Sequence, residues 1–326
     1  MTTRGKLHHP LLHGHTPAVE RGRVGISYSG GGPRFVLELG ATRAFVKSGI
    51  VPSVIAGVSA GALTAVVHAS DPVRGEGIDA AAALAVNGVS TKAFGLTPEH
   101  FLQRALRERG KLRSVGDNEV LREVVRSFSE RLLGDRQPRL DRFAPPRHPR
   151  LLIAASDWIS GDALWFDGDT LVEDALLASS AIPGVFPWRH HDSNDGHAVL
   201  IDGGVISNQP LSKLVLEGCG TIFACGFASH PQAAHEPANA LHSVLDAIQM
   251  MMHQCSHLEE EYVRLKLDGR GEVYRLVIDI DLPANHYDFT LDQLTELVGE
   301  AEQQVTTQLA ALGYSQPALP AAAGAN

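Results

Sequence analysis

The stretch VPSVIAGVSAGALTAVVHA, residues 51–69, decides how this chain folds. It carries no acidic or basic side chain except His68, and its length approaches that of a membrane span. A proline, two glycines and two serines interrupt it, so it reads as a buried strand, a tight turn and a buried helix rather than a transmembrane segment. The turn is Gly57-Val58-Ser59-Ala60-Gly61, a G-x-S-x-G pattern. A strained turn of this kind, joining a strand to a helix, lifts the serine hydroxyl clear of the sheet. The flanking residues must be small because side chains there would collide with neighbouring backbone. The helix N-terminus beneath favours developing negative charge. Ser59 is the candidate nucleophile, and Gly57 and Gly61 shape its elbow.

Upstream, VGISYS (24–29) is a β-prone run that leads into Gly30-Gly31-Gly32. Apolar residues at helical spacing follow in VLELGATRAFVKSG, with Gly49 as the stop. Strand–helix–strand–helix over this region predicts a parallel sheet with helices packed on it. Acyl transfer needs backbone N–H groups aimed at an oxyanion, and glycine lets a chain approach closely. Pro33 has no N–H, which leaves Gly30, Gly31, Gly32, Arg34 or Ala60, the residue after the nucleophile, as donors. A nucleotide phosphate loop is the rival reading, but neither G-x-G-x-x-G nor G-K-[ST] is present.

Downstream, residues 97–142 read as mainly helical and strongly charged, starting at Thr97-Pro98, with a clear amphipathic helix over 119–133. Prolines 138, 145, 146 and 149 close this excursion from the sheet. RLLIAASD (150–157) resumes it, WISGDALWF reads as a hairpin partner, and LVEDALLAS as a helix. An extended FPWRHH, a turn at Asn194-Asp195-Gly196 and the strand HAVLIDGG (197–204) follow. GTIFACGF and VYRLVIDID are further strands, 238–267 a long helix, and Thr290 caps a final helix running to about Leu312. Asp202-Gly203-Gly204 closes the 197–204 strand. A serine hydroxyl needs a base, and a carboxylate within hydrogen-bond reach can serve, although Asp-Gly is equally a common turn.

Together these elements resemble the patatin-like phospholipase family. That family's pattern is a glycine-rich loop with a following basic residue, a G-x-S-x-G elbow and a later D-G-[GA]; this chain has SGGGPR, GVSAG and DGGVISNQP in that order. AASD (154–157) and ALLASSAIPGVFP (175–187) look like the family too, and the resemblance extends from about Val24 to Pro210. It implies a three-layer α/β/α fold with a mainly parallel central sheet and a helical excursion. It also implies a lipid acyl hydrolase, of phospholipase A or lysophospholipase type, with a Ser59–Asp202 dyad and no histidine. Gly30, Gly31, Gly32 and Arg34 map onto the oxyanion loop. No metal or organic cofactor is implied, and the partner is a lipid or other ester. An acyltransferase on the same site and a lipid-binding relative with an impaired site are the alternatives. The second is prompted by Phe35, which stands where the family usually has glycine and brings a bulky ring to that loop. A Ser–Asp–His triad is the mechanistic rival, but the later histidines lie in no recognisable loop signature.

The composition is that of an ordinary globular protein, with 44% hydrophobic and 20% charged residues. A formal net charge of −9 argues against a nucleic-acid partner. Against that balance, Arg104–Arg147 carries twelve Lys/Arg and seven Asp/Glu, so 97–142 is either a lid or peripheral membrane contact, or a solvated helix face. Cys219, Cys225 and Cys255 form no C-x-x-C pair and read as reduced, buried thiols, which fits the cytoplasm. Met250-Met251-Met252 reads as core packing. Residues 1–23 have no apolar h-region and are expected to be a poorly ordered tail. Their histidines (His8, His9, His13, His15) lack a metal-ligand pattern. A single domain is expected over 24–313, with the basic helical insertion at about 97–149 and a disordered tail at 314–326.

Overall fold

The computed structural model describes residues 18–88, 114, 116, 118–193, 196–228, 240–282 and 289–314. Its centre is an eight-stranded sheet of β1 (Glu20–Tyr28), β2 (Val54–Val58), β3 (Arg150–Asp157), β4 (Ala163–Phe166), β5 (Arg189–Ser193), β6 (Gly196–Asp202), β7 (Cys219–Phe227) and β8 (Glu272–Ile278). The order is β5-β6-β3-β2-β1-β7-β8, with β4 also paired to β3. Strands β3, β2, β1, β7 and β8 run parallel, whereas the pairings made by β4, β5 and β6 are antiparallel.

The described helices are α1 (Phe35–Lys47), α2 (Ala60–Ser70), α3 (Gly77–Gly88), α4 (Asn118–Leu133), α5 (Val172–Ser179), α6 (Gly204–Ser207), α7 (Leu211–Leu216), α8 (Ala240–Leu267) and α9 (Leu291–Ala311). Parallel strands must be covered on both faces, and the alternation along them shows how. In β2, Ile55 joins the larger core under α1, α2, α3, α5 and α9, while Val54 and Ala56 face the smaller core under α7 and α8. In β7, Phe223 and Cys225 take the first side and Ile222 and Ala224 the second. The result is the three-layer α/β/α fold. α9 starts from the expected cap, with Thr290 and Gln293 forming a reciprocal capping box.

Several expectations change. β1 begins at Glu20, so residues 20–23 belong to the sheet: the Glu20 N–H bonds the Gly218 carbonyl at 3.0 Å, and Thr221 Oγ1 bonds the Arg21 carbonyl at 2.7 Å. β6 stops at Asp202, and Gly203-Gly204 turns at once into α6. α3 was not foreseen, because its alanine run has little polar–apolar contrast. Met250 and Met251 are exposed rather than packed in the core, and Cys255 is exposed while Cys219 and Cys225 are buried.

In the described part of the basic excursion, Arg122 and Arg126 clamp the buried Glu173, Arg136 pairs with Glu123 and Glu130, and Arg139 with Asp169. Those arginines answer carboxylates of the same chain. The Thr97 helix start, the Asn194-Asp195 turn pair, the N-terminal histidines and the C-terminal tail lie outside the described residues. No described helix is long and apolar enough to cross a membrane.

Candidate active site

Ser59 bridges β2 and α2 with φ 52° and ψ −124°. A positive φ is strained for a side chain with a Cβ, and it persists only where the surroundings over-determine it. Here they do. A Cβ on Gly57 would stand 2.5 Å from the Gly61 carbonyl, and one on Gly61 would stand 2.5 Å from the carbonyls of both Tyr28 and Ser29. The end of β1 therefore presses on the elbow from one side. From the other, the Ser59 N–H donates to Ser179 Oγ at 2.8 Å.

Asp202 reaches the elbow through strand register. Val58 pairs with Ala154, which puts Ser59 level with Ala155, and Asp202 pairs with Ala155 from the far side. The two residues thus flank β3, with backbones about 10 Å apart at ordinary strand spacing. Immediately after Asp202 the chain crosses the top of β3. A Cβ on Gly203 would lie 2.3 Å from the Ala154 carbonyl and 2.4 Å from Val58 Cγ2, so glycine is required there.

The pair is sheltered, with Ser59 5% and Asp202 2% exposed. Burial disfavours the Asp202 carboxylate and pushes its pKa up to about 6; the facing Ser59 hydroxyl and the Gly204 N–H, 2.8 Å from Oδ1, pull the other way. Oδ2 is buried and makes no hydrogen bond of regular geometry among the described residues.

Residues with no assigned role in the sequence reading hold this pair in place. Ser179 gives its Oγ to Ser59 and its carbonyl to the Gly203 N–H at 3.2 Å, while the Ala181 carbonyl takes the Asp202 N–H at 2.9 Å. One short segment thereby supports Ser59 and Asp202 together. Ser156 Oγ donates to the Gly203 carbonyl and accepts from the Ile206 N–H, both at 3.2 Å. AASD and ALLASSAIPGVFP were legible as stretches; the roles of Ser156 and Ser179 within them were not.

The glycine loop lies against the same elbow, since a Cβ on Gly30 would be 3.4 Å from Ser59 Cβ. The Gly30 N–H, however, is spent on the Asn208 carbonyl at 3.1 Å, and the Arg34 N–H on the Gly31 carbonyl at 3.3 Å. Neither is free to meet an oxyanion in this conformation. No described residue accepts from the N–H of Gly31, Gly32 or Ala60. Gln209 Nε2 ties the loop's root to the carbonyls of Ser27 and Cys225, both at 3.1 Å.

Glu38, fully buried in α1, accepts the Ser29 N–H and the Thr64 hydroxyl, both at 3.1 Å, and so clips the loop to α2. Burial raises the Glu38 pKa well above the carboxylate range. Burial lowers that of Arg34, whose guanidinium lies 4.4 Å over the Phe227 ring, and Glu38 opposes the shift. Phe35 follows the loop directly, and its side chain is buried in the larger core.

No described histidine hydrogen-bonds Ser59 or Asp202. His197 Nδ1 sits 2.6 Å from Asp192 Oδ1 at the opposite end of β6, and His253 and His257 contact each other. Among the described residues no group of three or more His, Cys, Asp or Glu is placed to hold a metal.

This geometry coincides with a family pattern. The family model described as Patatin-like phospholipase matches residues 26–215, more than half of the chain. The chain belongs to the patatin-like phospholipase family. No curated protein matches it in sequence. Among solved structures, this patatin-like phospholipase is similar to VipD from Legionella pneumophila, with 14% identity, TM-score 0.41, and coverage of 88% of this chain and 66% of that one. It is also similar to the type III effector protein ExoU, at 15% identity and TM-score 0.40, covering 90% of this chain and 54% of that one. Human GIVD cytosolic phospholipase A2, solved with methyl gamma-linolenyl fluorophosphonate, gives 15% identity and TM-score 0.46, over 90% of this chain and 58% of that one. The patatin-like chain thus spans less than two thirds of the length of each of these proteins.

Proposed function

We propose that this chain hydrolyses carboxylic esters of lipids through a Ser59–Asp202 dyad. Ser59 Oγ attacks the ester carbonyl while Asp202 takes its proton. The oxyanion rests on the N–H groups of Gly31, Gly32 and Ala60, at the N-terminus of α2. Asp202 returns the proton to the departing alcohol, leaving an acyl-serine. It then accepts a proton from the water that attacks the acyl group, and Ser59 is restored as the carboxylic acid leaves. The observation that carries this reading is the strained Ser59 elbow facing a buried carboxylate with an open acceptor oxygen.

A fluorophosphonate probe is expected to label the wild-type protein at Ser59, as read by peptide mass spectrometry, and a panel of lysolipids and phospholipids to include at least one that is turned over. Absence of labelling together with absence of turnover on every ester would overturn the proposal.

The Asp202 pKa sets the pH response. Its acid form, populated below about 6, cannot accept the serine proton. With a soluble p-nitrophenyl ester, kcat/KM is expected to rise about tenfold per pH unit up to that point and then level off. A profile already flat from pH 5 upward would contradict a burial-raised base.

A further inference from the structure

Several of the large apolar side chains that the fold leaves exposed stand on elements next to the Ser59–Asp202 pair. Trp158 and Ile159, 67% and 60% exposed, occupy the turn between β3 and β4. Ile206 is exposed on α6, and Met250 and Met251 on α8. These elements adjoin each other: α6 packs against both β3 and α8, and a Cβ on Gly204 would strike the Met252 methyl at 2.3 Å. They also adjoin the site. Trp158 lies three residues beyond Ala155, the register partner of Asp202, or roughly 10 Å further along the strand.

The Trp158 turn leaves no backbone donor to water. All six backbone N–H groups from Asp157 to Asp162 have acceptors inside the protein. Asp157 donates to the Asp162 carbonyl and Trp158 to the Val199 carbonyl; Ile159 and Ser160 donate to the Asp157 carboxylate, Gly161 to the Asp157 carbonyl, and Asp162 to Ser160 Oγ. The Asp157 carboxylate takes a third N–H, from Val199, at 3.1 Å. An ordinary exposed turn leaves such donors to water, and burying them unpaired would cost several kcal/mol. Here a rigid turn holds a Trp–Ile pair outward with no donor to lose. Trp is also the side chain that best suits the boundary between apolar and aqueous phases.

Cations stand beside α8. Arg34 lies over Phe227, and Arg275 Nη1 is 3.1 Å from His257 Nδ1, whose Nε2 is 3.0 Å from that of His253. Glu260, held by Arg264 at 2.7 Å and 3.9 Å from Arg275, is the carboxylate beside them. The turn itself carries the Asp157 and Asp162 carboxylates, so charge of both signs lies here and the exposed Trp–Ile pair is what suits a lipid surface.

From this we infer that the Trp158–Ile159 turn, flanked by Ile206 and Met250–Met251, is the surface by which the protein docks on a lipid bilayer, setting the Ser59–Asp202 site against the interface. The inference rests on the lipid-hydrolase reading for its purpose, but the docking is measurable without it.

The full chain is sedimented with vesicles of phosphatidylcholine, with and without added phosphatidylglycerol, as wild type, Ser59→Ala and the double variant Trp158→Ser/Ile159→Ser. Wild type and Ser59→Ala are expected to bind alike, with or without phosphatidylglycerol. The double variant is expected to bind about tenfold or more weakly, a loss of about 1.4 kcal/mol or more. Because both positions are exposed, its melting temperature and its turnover of a water-soluble p-nitrophenyl ester should match wild type, while turnover of vesicle lipid falls with binding. Equal binding by the double variant, or no binding by wild type, overturns the docking surface. So does a wild-type dimer, by light scattering, that the double variant converts to a monomer without any vesicle binding. A protein that binds through this turn yet cleaves no ester would keep the docking surface and sink the hydrolase reading instead.

Discussion

Ser59→Ala is expected to lower kcat/KM toward a carboxylic ester by about 10⁴-fold or more, and Asp202→Asn to fall nearly as far. Asparagine keeps the size of the side chain and its contact with the Gly204 N–H but cannot take a proton. The informative measurement is the double variant. Residues that act as one unit lose their effect together, so Ser59→Ala/Asp202→Asn should be no slower than Ser59→Ala alone. Multiplying losses would mean that Asp202 acts elsewhere. Fluorophosphonate labelling gives a second readout, absent from Ser59→Ala and strongly slowed in Asp202→Asn. The fold should survive both changes, because Asp202 is a buried carboxyl whose ionisation burial already disfavours.

The largest stability effect is expected at Gly61→Ala. The new methyl would stand 2.5 Å from two backbone carbonyl oxygens at the end of β1, and neither can swing aside as a flexible side chain would. Either β1 or the start of α2 must shift, which costs roughly 3 kcal/mol and lowers the melting temperature by roughly 5–10 °C. The shift also moves Ser59 against Asp202, so activity should fall further than stability alone explains. Gly299→Ala is the control. That glycine lies within α9 with nothing near its would-be Cβ, and alanine there should stabilise by about 0.5–1 kcal/mol. Calorimetry of the two variants should move in opposite directions; an unchanged Gly61→Ala would show that the elbow is loosely packed.

Much of this was legible in the sequence, for identifiable reasons. Strand–turn–helix logic needs only local apolar runs and small residues, so β2, Ser59 and α2 could be placed from nineteen consecutive residues. Asp202 was legible for the same reason, because Gly203 must follow it to cross β3. The supporting contacts were hidden because they act across the chain. Ser179 meets Ser59 from 120 residues away, and Gln209 meets Ser27 from 182. Glu38 carries no signal in the sequence and is wholly enclosed, because α1 is covered by both the sheet and α9. The glycine loop misled in detail: three glycines look alike in sequence, and only the Asn208 carbonyl distinguishes Gly30 from its neighbours. Met250 and Met251 misled in the opposite sense, being apolar side chains that the fold leaves outside.

The strut from Ser179 and the pairing of Asp202 with Ala155 have a consequence for the chain while it is being made. Ser59 leaves the ribosome long before residues 179 to 209 do. Until residues 179 to 202 are in place the elbow lacks both its N–H support and Asp202, and until β7 has paired with β1 the root of the glycine loop lacks its tie through Gln209 to Cys225. On the dyad reading, a nascent, truncated or half-unfolded copy therefore carries its nucleophile but is chemically silent. On that reading, lipid cleavage waits until the sheet has closed on both sides of β2.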